Sequence, residues 1–152
     1  MLRQLISSDA RFKTIEFKPG RNILIADKTE RSSGTDSRNG AGKSSIIEIL
    51  HFILGMRTLT GSVLENKALQ TDTFSLRLDW PDVTDSVTAS RGLAKRSRIT
   101  LAPDITAGSA LVQTAGDATI PEWVTAIGRD LFGFPDEHVG IRLFTNEGVV
   151  EV

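Results

Sequence analysis

The sequence predicts a mixed α/β fold in which a buried helix follows a glycine-rich loop and an antiparallel sheet comes later. Three observations support this prediction. Residues 22–26 form a compact apolar run, which is typical of a strand buried on both faces. Residues 44–56 are apolar around most of a helical surface, so we expect a buried helix there. From Phe74 to Trp80, apolar and polar residues alternate, which indicates a half-buried strand.

Further elements are expected on both sides of that helix. Pro19-Gly20 predicts a turn after the apolar positions between Phe12 and Phe17. Gly55 suits the carboxyl end of the buried helix. A second helix is predicted over residues 121–132, because the apolar residues have helical spacing and proline is acceptable at a first helical position. The other predicted strands are residues 2–6, 86–90, 98–102 and 110–114, with strand-like pieces in 139–152.

Composition and charge exclude several classes of protein. The 152 residues are 39% hydrophobic and 24% charged, which fits one soluble domain or one lobe of a larger domain. The chain has no cysteine, so thiolate metal sites, thiol nucleophiles and disulfides are excluded. A net charge of −1 gives no overall attraction to nucleic acid or an anionic membrane. Since Glu48 and His51 interrupt the longest apolar run, no membrane span is predicted, and we expect a cytoplasmic chain.

A phosphate-binding loop is predicted between the apolar run and the helix. The P-loop template is Gly, four residues, Gly-Lys, then Ser or Thr, set between a strand and a helix. The chain matches it at Gly42, Lys43 and Ser44, whereas Ser37 stands at the position of the first glycine. The context also fits the template, because an apolar run precedes the loop and an apolar helix follows it directly.

The residue types of this loop match the chemistry of polyphosphate binding. Small residues let backbone N–H groups converge on a β-phosphate, and the amino end of the helix adds positive potential. Lys43 is expected to contact the β- and γ-phosphate oxygens, the Ser44 hydroxyl to ligate Mg²⁺, and Ser45 to lie on the α-phosphate side. The predicted nucleotide-binding residues are Arg38, Asn39, Gly40, Ala41, Gly42, Lys43, Ser44 and Ser45, and Ser44 is also the predicted metal ligand.

Other chemistry-bearing residues favour structural roles. Trp80 and Trp123 stand at apolar spacing and are expected in the core rather than as base-stacking platforms. His51 is expected to pack inside the buried helix. No Ser/His/Asp or paired-carboxylate arrangement stands out, so no catalytic residue is predicted. A basic cluster is interpreted as a solvated hairpin tip in preference to a nucleic-acid contact; it consists of Arg91, Lys95, Arg96 and Arg98.

The loop and its flanks resemble the opening of the SMC-like ATPases, a group that includes RecF, RecN and SbcC and has ABC-type heads. The resemblance lies in residues 17–25, in the Asn-Gly-x-Gly-Lys-Ser form of residues 39–48, and in residues 52–55. Within the group, residues 36–44 are most similar to the YydD-like bacterial family, in which serine at the first-glycine position is usual and coiled coils follow the head.

This resemblance implies the amino-terminal lobe of an ABC-type head that binds ATP and Mg²⁺. It divides the chain into residues 1–60 with strands, P-loop and helix, residues 61–118 as an antiparallel β subdomain, and residues 119–152 as a helix and the start of a further segment. It implies a carboxy-terminal lobe or a second head as partner, and action on DNA in repair or phage defence.

Hydrolysis in such heads needs two further motifs. One is an apolar strand ending in Asp-Glu; residues 76–79 and 101–104 come nearest, but glutamate follows neither Asp79 nor Asp104. The other is a Ser-Gly-Gly signature, which the sequence lacks. We therefore expect little hydrolysis by this chain alone. The alternatives are a nucleotide-binding regulatory module without turnover and a P-loop kinase or GTPase, although the guanine motif Asn-Lys-x-Asp is absent.

Overall fold

A computed structural model describes residues 1–24, 43–81, 86–102, 116–135, 143–145 and 148–150. These residues form a mixed α/β fold with a six-stranded antiparallel sheet and two helices. The sheet contains β1 (Leu2–Ser7), β2 (Ile15–Glu16), β3 (Thr73–Asp79), β4 (Ser86–Gly92), β5 (Arg98–Ala102) and β6 (Asp117–Thr119). The helices are α1 (Lys43–Ile53) and α2 (Ile120–Ala126), and α2 continues into the π-helical turn Ile127–Leu131. A separate pair is β7 (Leu143–Thr145) and β8 (Gly148–Val150).

The strand order of the large sheet is β2-β1-β3-β4-β5-β6. One row of paired residues crosses its four central strands: Leu5 faces Leu76, which faces Ala89, which faces Leu101. All four are buried. Because side chains alternate between the faces of a strand, this row marks the face of the sheet that carries the core. Helix α1 packs on β3 and β4, and α2 on β5 and β6.

Three of the central strands were predicted well from the sequence. The strand expected from Phe74 to Trp80 is β3, and the one expected over residues 98–102 is β5, with the same bounds. The strand expected over residues 86–90 is β4, which continues to Gly92. Trp80 and Trp123 are buried and stacked, with ring centroids 5.4 Å apart, so their prediction as core residues is confirmed. The strand predicted over residues 110–114 lies outside the described residues.

The buried strand predicted over residues 22–26 is wrong for the three of its residues that the structure describes. Residues 22–24 have no regular secondary structure, and Ile23 is 74% exposed. The side chain of Asn22 instead closes a turn: its Oδ1 accepts from the Lys18 N–H at 2.9 Å and its Nδ2 donates to the Lys18 carbonyl at 2.9 Å. Such local side-chain bonds compete with a strand ladder for the backbone.

Helix α1 corresponds to the predicted helix over residues 44–56 but ends earlier, at Ile53. Its buried side contains Ile49 and Phe52, whereas Ser44, Ile47 and His51 follow one another at helical spacing along the exposed side. The prediction that His51 is packed inside the helix is therefore wrong. The apolar composition of the helix did not show that the side carrying Ser44, Ile47 and His51 is exposed.

Candidate nucleotide site at the amino end of helix α1

The predicted phosphate loop meets the described structure at Lys43. The backbone of Lys43 opens α1, Ser44 is exposed in the first turn, and Ser45 is half-buried. The other predicted loop residues lie outside the described part of the chain; they are Arg38, Asn39, Gly40, Ala41 and Gly42. The structure therefore describes the helix that would follow the phosphate loop, and not the loop itself.

The first turn of α1 has the electrostatic character that an anion requires. The first N–H groups of a helix have no intrahelical partner, and the helix dipole places partial positive charge there. No acidic residue lies in the first turn of α1 to offset that charge. The amino end of α1 is therefore suited to an anionic group.

Ser44, the predicted magnesium ligand, is an exposed residue. Mg²⁺ keeps several waters and commonly takes only one or two protein oxygens beside phosphate oxygens. Among the described residues, no group of three His, Cys, Asp or Glu is placed to hold a metal ion by itself. A magnesium ion at this position would take phosphate oxygens and waters beside the Ser44 hydroxyl.

Glu48, one turn further along α1, is committed to a structural contact. Its Oε2 accepts from the Ser62 hydroxyl at 2.8 Å and from the Val63 N–H at 3.0 Å. These groups begin the short 3₁₀ helix Val63–Glu65. Glu48 thus holds the chain after α1 against the middle of the helix, a role that no local sequence pattern indicates.

The carboxyl end of α1 is closed by a Schellman motif. The Gly55 N–H donates to the Phe52 carbonyl at 3.1 Å and the Met56 N–H donates to the His51 carbonyl at 3.0 Å. Gly55 has φ +115°, and a Cβ atom there would lie 2.4 Å from Cγ2 of Val124. The prediction of Gly55 at the helix end is confirmed. The position also leaves no room for a side chain, because Val124 of α2 packs against it.

Arg91 is buried against this end of α1, with 4% of its surface exposed. Its Nη1 donates to the carbonyls of Phe52 and Met56, the latter at 2.9 Å, and its Nε donates to the carbonyl of Arg96 at 2.8 Å. The guanidinium carbon also lies 4.1 Å from the centre of the Phe52 ring. Burial, and then the positive charge of Arg96, lower the pKa of Arg91 to about 10, so it remains a cation at neutral pH.

The interpretation of the basic cluster as a solvated hairpin tip is therefore wrong for Arg91, and a nucleic-acid contact is equally excluded at that residue. Arg96 is half-buried and donates to Thr58 Oγ1 and Gln70 Oε1, both at 2.9 Å. Arg98 pairs with Asp117 at 2.7 Å, while Lys95 is exposed.

A signal for Arg91 was present in the sequence. Counting in twos along β4 places Arg91 on the same face as Val87 and Ala89, which are both buried. An arginine at an inward position needs partners inside the protein. Because four basic residues fall within 91–98, they were interpreted as one exposed cluster, and the alternation along β4 was not recognised.

Comparison of the sequence with protein-family models, curated proteins and solved structures finds no match. Membership of the SMC-like group therefore stays a prediction. Every pairing in the large sheet is antiparallel, so the parallel strand that precedes the loop in a P-loop fold is not among the described elements. None of the helices in the described part of the chain is long and apolar enough to cross a membrane.

Proposed function

We propose that the chain binds a nucleoside triphosphate, ATP with Mg²⁺, at the amino end of α1. One observation carries the proposal: α1 begins at the lysine of the Gly42-Lys43-Ser44 motif. Phosphate binding needs glycines that end where a helix starts, because backbone N–H groups, the helix dipole and the lysine must converge on one point.

The first turn of α1 supports the proposal in two further ways. It carries no carboxylate to repel a triphosphate. Its Ser44 is exposed, so the hydroxyl is accessible to a ligand. Bound Mg²⁺ would neutralise phosphate charge and bridge the β- and γ-phosphate oxygens. Asn39 to Gly42 would supply backbone N–H groups, and Arg38 would add positive charge at the start of the loop.

We further propose that this binding belongs to an SMC-like ABC-type head that acts together with a carboxy-terminal lobe or a second head, on DNA. The resemblance of the loop supports this step. The exposed side of α1 is compatible with such a partner. Ile47, which lies between Ser44 and His51 on that side, is 56% exposed, and the second lobe or head would cover it.

A second candidate, nucleotide binding without turnover by this chain, is favoured by the position of Asp79. Its Oδ1 accepts from Arg3 Nε at 2.7 Å, and its Oδ2 lies 3.4 Å from the amino group of Met1. The bond from Arg3 lowers the pKa of Asp79. A carboxylate committed to these cations at the end of β3 serves the sheet and not a magnesium ion. Asp104 lies outside the described residues.

Titration calorimetry with ATP and Mg²⁺ tests the proposed function. We expect saturable binding by the wild-type chain and a loss of affinity of at least about ten-fold in Lys43→Ala, because the lysine makes charged contacts to two phosphates. Lys13→Ala removes an exposed lysine outside the loop and is the matched control, expected to bind like the wild type. Equal affinity in Lys43→Ala and Lys13→Ala, or no binding by the wild type, would refute the proposal. A parallel titration with GTP shows whether the protein distinguishes guanine from adenine.

A further inference from the structure

We infer that Arg91 is a positioning residue for the phosphate loop, an inference that rests on the proposed function. Arg91 binds main-chain carbonyls from three segments: Phe52 in the last turn of α1, Met56 just beyond it, and Arg96 in the connection from β4 to β5. It therefore ties the carboxyl end of α1 to the sheet. Lys43 and Ser44 stand at the other end of the same helix.

The chemistry of this contact requires arginine. The carbonyls at the end of a helix lack intrahelical partners and carry partial negative charge, so a cation is favourable there. The planar guanidinium presents five N–H donors in a fixed fork, which lets one side chain bind carbonyls in different segments. A lysine ammonium offers the same charge from a single nitrogen and cannot reproduce the fork.

The cost of burying Arg91 also argues for a geometric role. No described carboxylate forms an ion pair with it, so only carbonyl dipoles and the Phe52 ring offset the charge. Replacing buried charged groups by apolar side chains of similar volume is often neutral or stabilising, so the charge itself is weak evidence for a role in stability. What the guanidinium adds is a set of directed bonds from β4 to the carboxyl end of α1, which an apolar side chain cannot make.

The position of the carboxyl end bears on the position of Lys43 and Ser44, because both ends belong to one short, continuous helix. Its 11 residues span about 16 Å at a rise of roughly 1.5 Å per residue, and a helix of that length moves as one body. A tilt at Phe52 displaces Lys43. Trp123, which donates to the Ile53 carbonyl at 2.9 Å, acts at the same end of the helix.

The test compares Arg91→Lys with Phe12→Leu in titrations of the full chain with ATP and Mg²⁺, well below the unfolding temperature. Phe12 packs edge-on against Phe74 with ring centroids 6.0 Å apart, so Phe12→Leu lowers stability without touching the bonds of Arg91. We expect about a ten-fold lower affinity in Arg91→Lys, equivalent to roughly 1.4 kcal/mol, and unchanged affinity in Phe12→Leu. Wild-type affinity in Arg91→Lys, or an equal loss in both variants, would overturn the inference while the proposed function stood.

Two additions keep the outcomes distinct. Amide hydrogen exchange without nucleotide should be faster in the last turn of α1, whose Phe52 carbonyl Arg91 holds, in Arg91→Lys than in Phe12→Leu, and equal rates would overturn the inference. Should Arg91→Lys fail to fold, Trp123→Phe loosens the same helix end, and unchanged affinity in that variant would overturn it too. If the wild type itself binds no ATP, the proposed function fails first, and the inference falls with it.

Discussion

The indole Nε1 of Trp123 donates a hydrogen bond to the carbonyl oxygen of Ile53 across 2.9 Å in the interior of the protein. Ile53 is the last residue of α1, so this bond occupies a carbonyl that a helix end leaves unpaired. The Trp123 ring also stacks on Trp80, which directly follows β3. One side chain of α2 thereby joins α1 to the end of a central strand.

Trp123→Phe should destabilise the protein by roughly 2–4 kcal/mol, because it leaves a buried carbonyl without its partner and a void beside Trp80. Urea unfolding followed by circular dichroism measures the loss. Trp80→Phe is the matched control, since it shortens the other ring of the same stack and keeps the bond to Ile53. A Trp123→Phe variant no less stable than Trp80→Phe would show that the bond to Ile53 contributes nothing.

Gly55→Ala should cost more than about 2 kcal/mol of unfolding free energy, because two separate penalties coincide. The residue has φ +115°, and the new Cβ would lie 2.4 Å from Cγ2 of Val124. Gly61→Ala is the control: Gly61 has φ +81° with no atom within 4 Å of the added Cβ, so only the backbone penalty of about 1 kcal/mol applies. Similar losses in the two variants would mean that α2 can move away from Gly55 freely.

The capping box of α2 predicts a dependence of stability on pH. The Glu122 carboxylate accepts from the Thr119 N–H at 2.7 Å and from the Thr119 hydroxyl at 2.8 Å, and these bonds lower the pKa of Glu122 below its ordinary 4.5. Since the pKa is lower in the folded chain, this stabilisation is complete above pH 4.5 and is lost as the pH falls through the folded-state pKa.

Glu122→Gln tests this dependence, because glutamine keeps the shape of the box and does not titrate. The wild type should exceed the variant in unfolding free energy by about 0.5 kcal/mol at pH 7. At pH 3 the difference should shrink. A difference that stays constant between the two pH values in urea unfolding would contradict the role assigned to the charge.

The sequence predicted those parts of the fold that depend on local patterns. The alternation along β3, the strand run of β5 and the glycine at the end of α1 are properties of consecutive residues, and all three elements were predicted at the right places. The insertion of β1 between β2 and β3 was not predicted, because the pairing of Leu5 with Leu76 joins residues distant in the chain.

Two predictions were wrong because a side chain binds a partner that the local sequence pattern does not specify. Asn22 closes a turn on Lys18 in place of a strand, and Arg91 binds helix carbonyls in place of solvent. For the candidate site, the sequence supplied the whole motif, while the structure describes only its part within α1, beginning at Lys43.

The purified chain should hydrolyse ATP at most weakly, even though we propose that it binds ATP. Hydrolysis needs a carboxylate to activate water and a group that stabilises charge at the γ-phosphate. The sequence has no Ser-Gly-Gly signature, and Asp79 is paired with Arg3. A phosphate-release assay on the wild type and Lys43→Ala measures this. A robust rate that Lys43→Ala abolishes would contradict the expectation and make the chain an ATPase by itself.

The most direct measurement for the central claim is a crystal structure of the chain with Mg²⁺ and a non-hydrolysable ATP analogue. We expect a triphosphate against the backbone N–H groups from Gly40 to Ser44, with the Lys43 ammonium on the β- and γ-phosphates and the Ser44 hydroxyl on the metal. A triphosphate bound elsewhere, or an empty site with Lys43 directed away from the amino end of α1, would contradict it.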